Sequence, residues 1–160
     1  MVQMAKYMNM KKISSSSGRE LIEPRALLVV IDKGRVLLSK ALDGSFVRPP
    51  GGHIEFFETS AAAVRREIKE EIGSTIRSLK LEKVIENLIY FYGKKVHDIY
   101  FIYSGSIYKK SLYKKDVIIG DENGEEKRFY WIKISDLTAG KEIVVPKGIL
   151  EVILNLYKKK

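Results

Sequence analysis

A chain of 160 residues has room for one domain with its own core but not for a second of ordinary size, and 45% hydrophobic with 31% charged residues is the balance of a soluble globular protein. With no cysteine, disulfides and thiolate metal sites are excluded, so any metal must be held by oxygen ligands or by the two histidines, His53 and His97. Lysine and arginine outnumber aspartate and glutamate 29 to 20, which favours anionic ligands, while no apolar run reaches the ~20 residues of a membrane helix and no secretory signal opens the chain, so a cytoplasmic protein is expected.

Residues 1–18 lack periodicity over most of their length and end in a serine and glycine run, which suits a mobile arm ahead of a single domain over residues 19–160. The apolar, β-branched run 26–31, then Asp32-Lys33-Gly34 and Val36-Leu37-Leu38, predicts a β-hairpin. Residues 42–52 contain two prolines and three glycines, a loop whose backbone can approach a ligand closely. A helix should follow, capped by Thr59 or Ser60, with Ala61, Val64, Ile68 and Ile72 at helical spacing and Gly73 closing it in the left-handed conformation. Runs 79–92 and 96–107 flank Gly93-Lys94-Lys95 and predict a longer hairpin. Residues 129–134 read as one more strand, Ser135 begins a short helical turn, and Pro146 introduces a final amphipathic helix over residues 147–157.

The chemistry concentrates in residues 51–73. On a helix, Glu67, Glu70 and Glu71 stand at i, i+3 and i+4, so their side chains converge on one face. At ~100° per residue that face lies roughly a third of a turn from the apolar stripe, so the helix can pack on a sheet and still show its acids. Like charges so spaced repel by several tenths of a kcal/mol per pair. Divalent cations would offset this, and an all-oxygen cluster suits Mg²⁺, with Mn²⁺ as a substitute. Taken alone, the acids fit a solvated helix face with Lys69 and the arginines as partners equally well.

The wider spacing resembles the signature of the Nudix hydrolase family: Gly, any five, Glu, any seven, Arg-Glu, an aliphatic, any one, Glu-Glu, any one, Gly, then an aliphatic. Gly52, Glu58, Arg66, Glu67, Ile68, Glu70, Glu71 and Gly73 fill every slot except the last, where Ser74 stands. The preceding strand pair, the Pro50-Gly51-Gly52 turn and a tryptophan strand at Trp131 followed by Asp136-Leu137 extend the likeness, which looks closest to the MutT-like and ADP-ribose pyrophosphatase-like bacterial branch. The resemblance implies an α/β/α sandwich with a mixed sheet, the box helix on one side and the C-terminal helix on the other. It further implies Mg²⁺ held by Glu67, Glu70 and Glu71, with the carbonyl of Gly51 as an extra ligand. Gly52, Glu58, Arg66 and Gly73 are then structural, Arg66 and Glu58 as an ion pair that orients the helix.

Chemically, a pyrophosphate is protected from water by its own negative oxygens, which a divalent cation neutralises while a nearby carboxylate takes a proton from the attacking water. Glu70 is the favoured base, Glu67 the next, and the acidic loop of Asp121, Glu122, Glu125 and Glu126, outside the box, is the third candidate. Arg48 and Arg25 are candidate phosphate clamps, with ordinary surface arginines as the plain alternative. His53 follows the turn and His97 precedes Asp98, and no role follows for either. Aromatics at 91, 92, 100, 101 and 103 alternate as core and cross-strand pairs do. Phe57 replaces the small residue common before the first box glutamate, which leaves the path of that loop open.

The expected activity is hydrolysis of a pyrophosphate bond in a nucleoside diphosphate linked to a further group, such as ADP-ribose, a nucleoside triphosphate or a dinucleoside polyphosphate. Alternatives are a pyrophosphohydrolase of RNA 5′ ends and a non-catalytic nucleotide-binding module of the same fold. The basic excess is spread along the chain rather than interleaved with aromatics in one stripe, which favours a small nucleotide over a long nucleic acid. The oligomeric state is left open, a homodimer included.

Overall fold

The computed structural model describes residues 15–17, 20–122 and 124–159. Two five-stranded sheets organise it. The first contains β1 (Ser15–Ser17), β2 (Glu20–Val29), β6 (Gly51–His53), β7 (Ile76–Phe91) and β8 (Lys94–Ile107), in the order β1-β2-β8-β7 with β6 also paired to β2. The second contains β3 (Ile31–Asp32), β4 (Arg35–Lys40), β5 (Val47–Arg48), β9 (Val117–Glu122) and β10 (Glu125–Lys133), in the order β3-β4-β10-β9 with β5 paired to β4. β2 and β8 run parallel, which makes the first sheet mixed. The helices are α1 (Ser60–Ile72), α2 (Ile134–Thr138) and α3 (Ile149–Lys158). Among the described residues no helix is long and apolar enough to cross a membrane. The arm expected over residues 1–18 lies outside the described residues apart from β1, which pairs with residues 20–22.

β2 explains the layering. Ala26, Leu28 and Val30 join Ala63, Val64, Ile68 and Ile72 of α1 in one buried cluster, while Leu27, Val29 and Ile31 join Ile149, Val152 and Ile153 of α3 in another. A strand apolar on both faces belongs in the middle of a covered sheet, and each fully buried aliphatic side chain contributes about 1.5–3 kcal/mol. The two helices therefore lie on opposite faces, as the expected α/β architecture requires.

The same two-faced burial corrects the first hairpin. Run 26–31 does not fold back on residues 36–38 as a ribbon: residues up to Val29 pair with β8, and the chain crosses to the second sheet at Val30. Ile31 and Asp32 turn back onto Val36 and Arg35 through Lys33 and Gly34, Leu37 N donates to the Val30 carbonyl, and β4 otherwise pairs with β10 and β5. The longer hairpin is as expected, with Tyr92 and Gly93 both at positive φ in its turn, but β7 begins at Ile76 and carries two irregularities in register. The final helix starts later than residue 147, at Ile149, because Gly148 at its N-cap is left-handed.

The acidic segment around residues 121–126 is not a loop but the two arms of the β9–β10 hairpin, with Glu122 opposite Glu125 and Glu126 opposite Asp121. Its sequence signal is the Asn-Gly pair at 123–124 between extended runs. β9 is hard to recognise because it is short and its second half is Gly120-Asp121-Glu122, residues that disfavour strands.

α1 carries the site, and its ends are fixed locally. Thr59 Oγ1 accepts from Ala62 N at 3.2 Å, and Gly73, at φ 69°, donates its N–H to the Lys69 carbonyl. The last turn rests on β9, where a Cβ on Gly120 would overlap the carbonyl oxygen of Glu71. Gly120→Ala should therefore push strand and helix apart, destabilising the protein by about 3 kcal/mol. A thermal melting midpoint equal to wild type would show that the contact yields at no cost.

Candidate functional site

Six charged side chains, Glu58, Arg66, Glu67, Glu70, Glu71 and Lys127, gather around the backbone where β6 enters the loop before α1. Gly51 pairs with Leu27 and Gly52 with Ala26. A Cβ on Gly51, at φ 131°, would strike the Ala26 carbonyl, and one on Gly52 would lie 2.5 Å from Oε1 of Glu67. The Glu67 carboxylate is thus seated directly on the backbone of the turn. Glu71, one turn further on, is 1% exposed. Its Oε2 accepts from Gly51 N at 3.1 Å and its Oε1 from Lys127 Nζ at 2.5 Å. Glu70 faces outward with a side chain 58% exposed.

Arg66 ties these groups together. Its Nε and Nη2 donate to the two oxygens of Glu58 at 2.8 and 2.9 Å, and Nη2 also reaches the His53 carbonyl at 3.0 Å. Nη1 donates to Glu67 at 2.9 Å and Glu70 at 3.1 Å. The arginine thus binds Glu58 in the forked geometry that suits a guanidinium and also engages two of the three box acids. Phe57 adopts positive φ, 62°, with its side chain 100% exposed. The loop keeps a path that brings Glu58 to Arg66, at a position where glycine is the easier residue.

Electrostatically the acids are in an unfavourable place. Burial raises the Glu67 carboxyl above its ordinary value, with Arg66 pulling the other way. Burial pushes Glu71 up to about 7 against the opposing pull of Lys127, and Glu67 adds to the rise. The hydrogen bonds to Glu58 hold Arg66 firmly protonated. Among the described residues no three acids or histidines already close into a ligand cage, because Glu67 and Glu71 are turned onto cationic side chains. Buried carboxylates satisfied by ammonium and guanidinium beside a backbone turn are an oxygen-rich set that fits a hard divalent cation.

Arg25 and Arg48 are brought together, but not as equivalents. Both line a cavity of about 630 Å³ with Glu23, Asp98, Tyr100 and Asn87. Arg25 is engaged there, at 2.7 Å from Glu23 and with Nε 3.6 Å from Asp98. Arg48 makes no side-chain hydrogen bond or ion pair among the described residues, and its Nε is buried. It also lines a second cavity of about 530 Å³, with Lys40, Glu125, Glu126 and Lys127, so the two cavities meet at Arg48 and Phe46. His53 approaches Glu23 at 3.6 Å, and His97 pairs with Glu86 at 3.2 Å on the surface.

Sequence reasoning missed Lys127, Gly120 and Asp98. Asp98 is buried, its carboxyl raised by burial against the pull of Arg25, and it accepts from the Tyr100 hydroxyl, which burial pushes up to about 12. Only its place inside an apolar strand run hints at burial. Nothing local marks Lys127, whose partner stands 56 positions away.

Glu71 sets a pH dependence whose sign follows from its burial. Folding raises its carboxyl from the ordinary 4.5 to about 7, so the folded state holds the proton more tightly than the unfolded one. The stabilisation is complete below about pH 4.5 and is lost as pH rises through about 7. In chelator, wild type should lose stability relative to Glu71→Gln between about pH 5 and 8 in denaturant titrations. Parallel pH curves for the two proteins would show that Glu71 ionises as freely folded as unfolded.

Residues 22–151 match the family model described as the NUDIX domain. No curated protein matches. Among solved structures, the chain is similar to a MutT protein from Bacillus halodurans (20% identity, 82% of this chain and 79% of that one, TM-score 0.57). It is also similar to a NUDIX hydrolase from Nitrosomonas europaea (18%, 86% and 90%, TM-score 0.62) and to the E. coli dihydroneopterin triphosphate pyrophosphohydrolase (17%, 87% and 96%, TM-score 0.60). At these identities the likeness shows a shared fold, and the domain match covers most of the chain. The chain belongs to the Nudix family.

Proposed function

We propose that residues 19–160 form a single domain that hydrolyses the pyrophosphate bond of a small nucleotide, with Mg²⁺ or Mn²⁺ held by Glu67, Glu70, Glu71 and the Gly51 carbonyl. The observation that carries this reading is the seating of Glu67 and Glu71 on the Gly51-Gly52 turn, where both are charged groups withdrawn from water and met by cations. When bound, the divalent ion would neutralise the phosphate oxygens and polarise phosphorus.

The chain's own residues supply the rest. Glu70, the outward-facing acid, has access to water and serves as general base, with Glu67 next in line. Glu125 and Glu126 stand across the cavity as acids outside the box. Arg66 keeps Glu67 and Glu70 at a fixed spacing. Arg48 donates to phosphate oxygens at the junction of the cavities, while Arg25 shapes the wall by holding Glu23 and Asp98. The larger cavity takes the organic part of the substrate: about 630 Å³ is ample for a nucleoside, and Leu21, Phe46, Ile89, Val96 and Val145 give it an apolar wall beside its charged groups. Two cavities joined at one arginine suit a compact molecule rather than a strand.

The test compares ADP-ribose, dinucleoside polyphosphates, nucleoside triphosphates, dihydroneopterin triphosphate and a triphosphorylated RNA oligomer with Mg²⁺ at ~150 mM salt. The pteridine is included because a structurally similar protein bears that name. One of the small nucleotides should lead in kcat/KM, and a clear preference for the RNA oligomer would replace this reading with RNA 5′-end processing. Glu70→Gln and Glu71→Gln should each lower turnover by orders of magnitude with the fold intact, since an amide keeps the shape but not the charge that holds a cation. Wild-type rates in both variants would remove the metal assignment.

A further inference from the structure

We propose that Lys127 is a built-in counter-ion of the metal site: its ammonium holds Glu71 in place while no divalent ion is bound and competes with that ion for the carboxylate. The inference rests on the cation reading above and concerns a residue outside the box.

Glu71 is almost fully withdrawn from water, and the structure gives its two oxygens one N–H from Gly51 and one ammonium from Lys127. A carboxylate so placed costs several kcal/mol unless a cation meets it. Arg66 cannot do so, because its donors are occupied by Glu58, Glu67, Glu70 and the His53 carbonyl. Lys127 comes from β10, in the second sheet, whereas the turn that holds the other oxygen belongs to the first. The pair therefore links both sheets through the C-terminal half of α1.

Lys127 is suited to this task and to yielding it. Its side chain is 13% exposed, with Nζ 5.7 Å from the ring of the fully buried Phe129. A lysine is a compact point charge on a flexible stem, so it can release a carboxylate without disturbing the strand. The side chain also lines the cavity shared by Lys40, Arg48, Glu125 and Glu126, which gives the released ammonium somewhere to go. A divalent ion on the same carboxylate would repel the ammonium, so each opposes the binding of the other.

The test is Lys127→Met, which keeps length and contact with Phe129 but not the charge, and Lys127→Gln, which keeps a donor to Glu71 without the charge. Free Mn²⁺ followed by electron paramagnetic resonance gives affinity, and melting midpoints in chelator and in saturating Mg²⁺ give stability. Both variants should bind Mn²⁺ about tenfold more tightly, the scale expected for removing an adjacent partly buried charge. Their midpoints should fall in chelator and recover most of the loss in Mg²⁺. Unchanged or weaker Mn²⁺ binding, or an equal loss of midpoint with and without Mg²⁺, would reduce Lys127 to a packing residue and overturn the proposal. Wild type that binds no Mn²⁺ would overturn the cation reading as well, so the two failures are distinguishable.

Discussion

A carboxylate that cannot reach water must be met by positive charge, and Glu71 imposes that condition on everything around it. Its helix turn lies so close to β9 that only glycine fits at position 120, and its side chain reaches the backbone of Gly51. The cation that meets it comes from the strand paired with β9. Move any of these elements and a buried charge loses a partner, a far larger penalty than the loss of a surface ion pair. The β9–β10 hairpin is therefore part of the site although it contributes none of the box residues.

The helix is held from the opposite side by ordinary hydrophobic packing. Ala63, Val64 and Ile68 are fully buried against β2, so the angular position of the acids is set by apolar contacts that do not depend on charge. Within that frame, Arg66 spreads one guanidinium over Glu58, Glu67 and Glu70 and so offsets the repulsion that three acids within one turn would otherwise exert. Stability and acidity are thus assigned to different faces of the helix.

What the sequence reveals here depends on range. Thr59, Gly73, the apolar stripe and the i, i+3, i+4 acids act within a few residues of one another, and the helix they predict is the one observed. The burial of Glu71, in contrast with the exposure of Glu70, depends on where the helix meets Gly51 and β9 and cannot be read from spacing. Run 26–31 misleads because a strand covered on both faces shows no alternation, so its split between two sheets leaves no local trace. β9 hides behind its acidic side chains even though Asn-Gly marks its turn. Lys127 and Asp98 are the clearest cases of information carried only by the folded chain: each is one charged residue in a strand until its distant partners are known.

Arg25 and Arg48 show how much that distinction matters for function. In sequence both are candidate clamps, Arg48 just before the glycine-rich turn and favoured over Arg25 at the start of the first strand. In the structure Arg25 is paired with Glu23 and Asp98, so its charge is already used within the protein. Arg48 is half-buried and, unlike Arg25, makes no side-chain hydrogen bond or ion pair among the described residues, and a buried donor without an acceptor costs about 1–3 kcal/mol. An unmet donor of this kind discriminates strongly between ligands, because one that supplies the acceptor recovers that cost and one that does not must leave it in place. The cavities on its two sides differ in character, one bordered by Lys127 and the acids of the hairpin, the other by Tyr100, Asn87 and apolar side chains. Selectivity in the proposed reaction therefore lies less in the box, whose acids would treat any pyrophosphate alike, than in how a substrate joins the two cavities across Arg48.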